Sequence, residues 1–298
     1  MYLSFLRLVL LCFFSNSLLA CDICGSSLSG SQIGVLPQFR SSLLTFKTNY
    51  QHFNINQVGK KSNQFFLLNS LSARVYLHKR WQLLFFLPIL QAQQVTNQTD
   101  KLQIFGLSDL TFSGNYLLFD NNRDSNSGKF KQLIMLGAGL KLPTGTYQKL
   151  QKNSSLNPYF QLGSGSWDAP FSLLYVARYE KWGLNNELNY RINTTNSNLY
   201  KFGDQLFFTQ KLFYWHKKRK FSTVPQLGYL FENNQTDKHR NQVVANTANK
   251  NLLLLLSVDF YYKKLSFGFS AQIHLKNYAA TNEVQRKIGF QFSTNYIF

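Results

Sequence analysis

From residue 41 onward the chain alternates. Apolar side chains recur at every second position through segments of ten or so residues, and polar, Asn-rich breaks separate the segments. The last segment, 283–298, shows the pattern most cleanly. Ile288, Phe290, Phe292, Thr294, Tyr296 and Phe298 fall on one face; Lys287, Gly289, Gln291, Ser293 and Asn295 fall on the other. A period of two is the mark of a strand whose two faces meet different surroundings. Read this way, the chain holds about twelve strands, an even number of the kind found in single-chain bacterial barrels. They fall near 41–51, 65–78, 81–93, 103–119 and 130–142, then in pairs flanking turns at 179–182, 216–220 and 263–264, and finally at 283–298. Pro88 lies on the face of the third strand opposite Trp81, Leu83, Phe85, Leu87 and Ile89. It predicts a bulge or an early end there, because proline has no N–H to give a ladder.

The breaks sort by parity. Those after odd strands are long (54–63, 95–102, 143–167, 193–200, 232–251 and 277–283), and those after even strands are short, except 120–129. Outer-membrane barrels have short periplasmic turns and longer outer loops, with both chain ends on the periplasmic side. A soluble sandwich has no reason to sort its loops this way. Aromatic residues gather at strand ends (Trp81, Tyr116, Tyr179, Trp182, Trp215, Tyr262, Tyr296), as an interfacial girdle requires. The predicted fold class is therefore all-β: an antiparallel transmembrane β-barrel of about twelve strands over residues 41–298, closed so that no sheet edge is left open. The predicted location is the bacterial outer membrane. The terminal Phe298 resembles the closing residue of bacterial outer-membrane barrels, which typically end on an aromatic.

Composition supports the same picture. Of 298 residues, 15 % are charged and 16 % aromatic. No internal stretch approaches the ~20 apolar residues of a spanning helix; the longest apolar run is the five leucines from Leu252 to Leu256. The net charge of +19 raises the question of nucleic acid. The basic residues, however, gather at turns (His78-Lys79-Arg80, His216 to Lys220, Lys263-Lys264). That placement predicts solvated turns beside anionic lipid headgroups, with outer-membrane lipid as partner and no nucleic acid.

Residues 1–20 read as a cleaved secretory signal peptide, with Arg7 as the one charge, an apolar core from Leu8 to Phe14, and Ala20 before the cut. Cys12 leaves with it. Residues 21–40 then form a short tether or plug that opens on Cys21-Asp22-Ile23-Cys24. Three readings stand open for this C-x-x-C: a lipid anchor on Cys21, a small disulfide or inert thiols, or a site for a thiophilic metal such as copper. Gly25 stands where haem attachment needs a His, and no second Cys pair completes a zinc site. No other cofactor is expected.

The inward-facing polar residues define the candidate lumen: Arg74, Tyr76, Asp109, Lys141, Arg178, Glu187, Arg191, Lys211, Asp259 and His274. Their mixed charges either line a solute path or cross-link the interior into a plug. Gly137 and Gly139 leave room in a narrow lumen or let the sheet curve. Asp109, Lys141 and Asp168 are placed to tie the longest loop inward through charge pairs. No nucleophile–base pair, phosphate loop or informative carboxylate pair appears, so an enzyme is not expected.

Three blocks recur in a familiar order: Gly106-Leu107-Ser108-Asp109-Leu110, then Leu136-Gly137-Ala138-Gly139-Leu140-Lys141-Leu142-Pro143-Thr144-Gly145, then Leu162-Gly163-Ser164-Gly165-Ser166-Trp167-Asp168. Together they resemble the outer-membrane transporter-like family named for a meta-pathway of phenol degradation. The likeness covers roughly residues 106–175. The opening from Cys21 to Gly25 looks like Bacteroidetes-type members that begin C-D-I-C-G-C, with Ser26 here in place of the further Cys. The resemblance implies a barrel that passes small molecules and names no substrate. The alternatives are a plugged structural or partner-binding surface barrel, and a metal-handling protein working through Cys21 and Cys24.

Overall fold

The computed structural model describes residues 41–298, apart from 58–59, 78–79, 97–99, 123–127, 148–158 and 278–283. The signal peptide, the tether with Cys21 and Cys24, and His78 lie outside the described residues. Twelve strands make the wall: β1 Leu43–Gln57, β2 Lys60–Tyr76, β3 Trp81–Thr96, β4 in two pieces (Asp100–Leu107 and Thr111–Asp120), β5 Phe130–Lys141, β6 Asp168–Tyr179, β7 Trp182–Asn193, β8 Gln205–Tyr214, β9 Phe221–Asn234, β10 Asn249–Tyr262, β11 Leu265–Asn277, and β12 in two pieces (Val284–Arg286 and Gly289–Ile297). Each strand pairs antiparallel with its neighbours in sequence. The sheet closes between β12 and β1, with register from Leu43↔Ile297 to Tyr50↔Phe290.

The alternation is inside out, as a membrane wall requires. Phe46, Leu71, Phe85, Leu136, Phe171, Leu227, Phe269 and Phe292 are exposed on the outer face. Thr45, Lys47, Asn49, Ser70, Gln82, Asn115, Thr209, Ser270 and Ser293 are buried inside. At the seam the polar faces meet: Thr45 Oγ1 donates to Asn295 Oδ1 at 2.6 Å, and Asn295 Nδ2 donates to Ser266 Oγ at 3.0 Å. Polar pairs interrupt the outer face, among them Thr48 Oγ1 donating to Asn69 Oδ1 at 2.8 Å on β1 and β2. Gln210 Nε2 donates to Asn186 Oδ1 at 2.6 Å, on strands β8 and β7, between Leu184 and Leu188 on one strand and Phe208 and Leu212 on the other.

Three expectations are corrected. The breaks at 54–63 and 95–102 are largely strand, because β1–β2 and β3–β4 carry their ladders to Gln57↔Lys60 and Thr96↔Asp100; the break at 232–251 stays long, with the β9–β10 ladder ending at Asn234↔Asn249 and residues 235–248 beyond it. The polar side chains there mark the point where the wall leaves the apolar layer. The ladder itself uses backbone groups and continues regardless. Pro88 does not end β3; the ladder lapses in the partner instead. β4 is interrupted between Leu107 and Thr111, where Ser108 N donates to Pro88 O at 2.9 Å and proline offers no N–H in return. His52, just past the expected end of the first strand at residue 51, lies within β1, stacked on Phe65 with ring centroids 4.4 Å apart.

Candidate functional site

The lumen is layered. At the loop end, Phe53, Ile55, Phe66, Leu68, Leu90 and Ile104 point inward from β1 to β4 and pack against Tyr159, Phe160, Tyr200 and Phe202. The last four come from the loops after β5 and β7, so this outer seal is part wall and part loop. At the turn end, Leu133, Met135, Leu174, Val176, Phe213, Val224 and Tyr261 form a second apolar cluster with Leu43. All of those lie on strands. Between the two clusters is a belt of buried polar groups, including Lys47, Asn49, Gln82, Asn115, Glu187, Thr209 and Gln226.

The loop after β5 is held by a polar latch. Lys141, the last residue of β5, places Nζ 2.8 Å from Asp109 Oδ2 and 2.5 Å from Asp168 Oδ2. Asp109 sits in the break of β4 that Pro88 imposes, so its carboxylate is free to turn toward the loop. It accepts from Gly145 N at 3.0 Å, from Ser164 N at 2.8 Å and from Ser164 Oγ at 2.9 Å. Asp168 accepts from Ser166 Oγ at 2.9 Å and Thr194 N at 3.1 Å. The three sequence blocks thus converge on one buried ion triad. The glycines have a steric role: a Cβ on Gly163 would lie 2.4 Å from Asp109 Oδ1 and 2.9 Å from Gly145 Cα.

A second node lies outside the wall. Asp237, in the loop after β9, accepts from the hydroxyls of Tyr159 and Tyr200 and, at 2.7 Å, from Gly203 N. It joins three loops at once. The short strands Tyr200–Lys201, Lys238–His239 and Gln242–Val243 make a small sheet from the same loops. Burial holds the Asp237 carboxyl above its ordinary range and pushes the Tyr200 phenol up, with the Asp237 charge adding to the latter.

The other sequence candidates scatter through the interior. Arg74 is buried near the turn end, and Tyr76, half-buried, closes β2 with its N donating to Ser42 Oγ at 3.2 Å. Arg178 lies over the ring of Trp215, 5.4 Å from its centroid. Glu187 accepts from Asn189 Nδ2 at 2.9 Å and faces Lys211 and Lys47 across the belt. Arg191 donates to Gln205 Oε1 at 3.2 Å. Asp259 accepts from Gln226 Nε2 at 2.6 Å, and His274 meets Asn251 Oδ1 at 3.3 Å.

Sequence reasoning missed Asp237 and the buried pair of Arg286 and Glu232, 3.2 Å apart. Glu232 falls at the start of the expected break at 232–251 and lies instead within β9. Strict alternation backward from Phe290 puts Arg286 on the lipid face; the break in β12 at Lys287 and Ile288 turns it inward. Asp237 stands in an Asn-rich loop with no pattern to mark it.

Two pockets share lining residues on β5. Gly137 and Ala138 border an interior cavity of about 40 Å³, also lined by Asn115, Glu187 and Arg191. They also border an outer groove of about 490 Å³ with Trp81, Gly114 and Tyr116. Rather than leaving space, Gly137 admits its neighbours: a Cβ there would meet Asn115 Oδ1 at 2.0 Å and Ser172 Oγ at 2.3 Å. The β5–β6 register runs to Ala138↔Phe171 and resumes only at Lys141↔Asp168, across a stretch where Pro170 has no N–H to donate.

A closed antiparallel barrel of twelve strands with an apolar outer wall is an outer-membrane β-barrel. Solved structures agree on the fold. The chain is similar to an outer membrane channel from Pseudomonas putida F1, at 14% identity and a TM-score of 0.65, covering 89% of this chain and 97% of that one. It is also similar to the β domain of the Bordetella autotransporter BrkA, at 12% identity and a TM-score of 0.51, covering 87% of this chain and 100% of that one. No protein-family model matches the chain, and no curated protein matches it.

Proposed function

We propose that the protein is an outer-membrane channel for a small solute, closed at its outer mouth by its own loops. The observation that carries this reading is the composition of the outer seal. Tyr159, Phe160, Tyr200 and Phe202 belong to loops, and two compact polar nodes, at Lys141 and Asp237, hold those loops down. Release of the nodes would uncover a polar belt without breaking a strand. The groove at Gly114, Gly137 and Ala138, back to back with an interior cavity, favours a solute with an apolar portion that exchanges with the bilayer through the wall. The three blocks at 106–110, 136–145 and 162–168, which meet at the Lys141 triad, support membership of the transporter-like family they resemble.

One observation favours a second reading, a plugged structural or partner-binding barrel. The turn-end cluster, among the described residues, takes all its buried members from strands. Planar-bilayer conductance and vesicle flux separate the two readings. The channel reading expects brief openings in the native protein and more frequent ones in Lys141→Met. Silence of both proteins, in conductance and in flux of apolar solutes, supports the plugged barrel and overturns the channel.

A further inference from the structure

The turn end of the lumen holds two guanidiniums, and among the described residues neither has a carboxylate partner. Arg74 is 3 % exposed, and its Nε and Nη2 lack hydrogen-bond partners. The titratable groups close enough to act on it are Tyr76 and Tyr261, and neither is a carboxylate. Arg178, from β6, also has an unpartnered Nε and lies over Trp215. Trp215 in turn stacks on Tyr261, with centroids 6.2 Å apart and planes at 8°. One aromatic pair therefore links the surroundings of both cations. Leu43, Phe213 and Val224 add apolar surface, while Asp259, two residues before Tyr261 on β10, is engaged by Gln226 Nε2 at 2.6 Å.

A buried charge without a counter-charge is strongly unfavourable, and the usual remedies are a partner ion or a bound one. A guanidinium is a planar fork whose parallel N–H groups match a carboxylate better than any neutral group. The aromatic pair and apolar surface beside it match a flat, apolar body. We infer that the turn end of the lumen binds a small carboxylate with an apolar body, its carboxylate held on the free edge of Arg74 and Arg178 adding long-range attraction. This names a solute class for the channel proposed above. It rests on that reading only for the claim that the bound carboxylate is in transit.

The test uses the full-length protein in lipid nanodiscs, with benzoate, benzamide and inorganic phosphate as probes, read by calorimetry and by quenching of tryptophan fluorescence. Benzoate is expected to bind and to quench. Arg74→Gln should weaken its binding by about tenfold or more, the loss of a charged bidentate contact. Arg74→Lys, which keeps the charge and loses the fork, should fall between, and serves alone if Arg74→Gln does not give the heat-modifiable barrel form. Trp215→Phe should remove most of the quenching. Failure of benzoate to bind, equal binding of benzamide, or unchanged affinity in both Arg74 variants overturns the site. Phosphate binding as tightly as benzoate overturns the carboxylate class, and binding by phosphate alone does the same. Conductance keeps the two ideas separable. Benzoate binding in a protein that passes nothing overturns the channel and leaves the site, whereas flux without benzoate binding overturns the site and leaves the channel.

Discussion

Lys141 lies between Asp109 and Asp168, 2.8 Å from one and 2.5 Å from the other. One ammonium so joins the break in β4, the end of β5 and the start of β6. All three side chains are nearly inaccessible. Removal of the cation leaves two buried carboxylates facing each other, which is worse than losing the attraction alone. Lys141→Met should therefore destabilise the barrel by about 3–5 kcal/mol and expose residues 142–167 to protease. Urea titration followed by tryptophan fluorescence measures the first, and limited proteolysis of intact vesicles the second. A variant as stable and as resistant as the native protein would show that the triad holds nothing down.

Gly163 tests the same latch without touching a charge. A methyl there would lie 2.4 Å from Asp109 Oδ1 and 2.9 Å from backbone atoms of Gly145. Neither backbone nor a fully engaged carboxylate can yield cheaply. Gly163→Ala should cost about 1–3 kcal/mol, in the range of overpacked sites, with the loop after β5 again the first segment cut. Gly114, where a Cβ would meet only Leu83 Cδ2 at an ordinary 3.8 Å, is the control for space. If Gly163→Ala resists protease like the native chain, the contact with Asp109 relaxes more easily than the packing implies.

The Asp237 node should respond to pH in the sense opposite to an ordinary salt-bridged carboxylate. Its folded pKa is raised, chiefly by burial, with the bonds from Tyr159, Tyr200 and Gly203 opposing. A group raised in the folded state contributes stability that is fully present below its unfolded pKa and is lost as pH rises through its folded value. The outer loops should accordingly exchange amide hydrogens more slowly at pH 4 than at pH 8, once intrinsic rates are corrected. Asp237→Asn should flatten the difference. Loops that tighten on going from pH 4 to pH 8 would mean that the three donors outweigh burial.

Much of this architecture is legible in the sequence, for a physical reason. A barrel wall separates hydrocarbon from polar interior at every residue, so Phe290 to Phe298 and Gly289 to Ile297 have to alternate strictly. The sorting of loops by parity sets the orientation, and the pairing of Thr45 with Asn295 follows from it. Charges within that alternation, such as Lys47 and Glu187, follow the same rule. What fails is anything that departs from period two. Arg286 is hidden by the irregularity at Lys287 and Ile288. The effect of Pro88 appears in β4 rather than β3, because a missing N–H is felt by the partner strand. Asp237 gathers its partners from three loops, and no one-dimensional pattern records contacts of that range. The meeting of Asp109, Lys141 and Asp168 is the intermediate case: the charges could be paired by type, while the break in β4 that admits them could not be seen.

The seam offers a direct test of which face meets lipid. Phe292 is exposed on β12, opposite Thr48 on β1 and Phe269 on β11. An arginine at the bilayer midplane on a barrel's outer face costs about 2–4 kcal/mol, and near the interfaces much less. Phe292→Arg should lie toward the upper end, and Phe292→Leu close to neutral. Refolding into vesicles across a urea series gives both numbers. An arginine that costs no more than the leucine would place Phe292 in water and undo the closure between β12 and β1.

The amide pair on the outer wall makes a sharper prediction, because single and double changes should differ in sign. Gln210 donates to Asn186 at 2.6 Å, and their neighbours on the same face are Leu184, Leu188, Phe208 and Leu212. In hydrocarbon no water can replace a lost partner. Asn186→Leu alone leaves Gln210 with an unsatisfied amide and should destabilise by about 1–3 kcal/mol. Gln210→Leu should do the same to Asn186. Replacement of both removes two polar groups together with their bond, and should be neutral or stabilising. The double-mutant cycle then yields a coupling of about 2 kcal/mol or more in favour of the intact pair, even though the double variant is no less stable than the native protein. Additive single effects would mean that each amide finds another partner, which at this depth has to be protein.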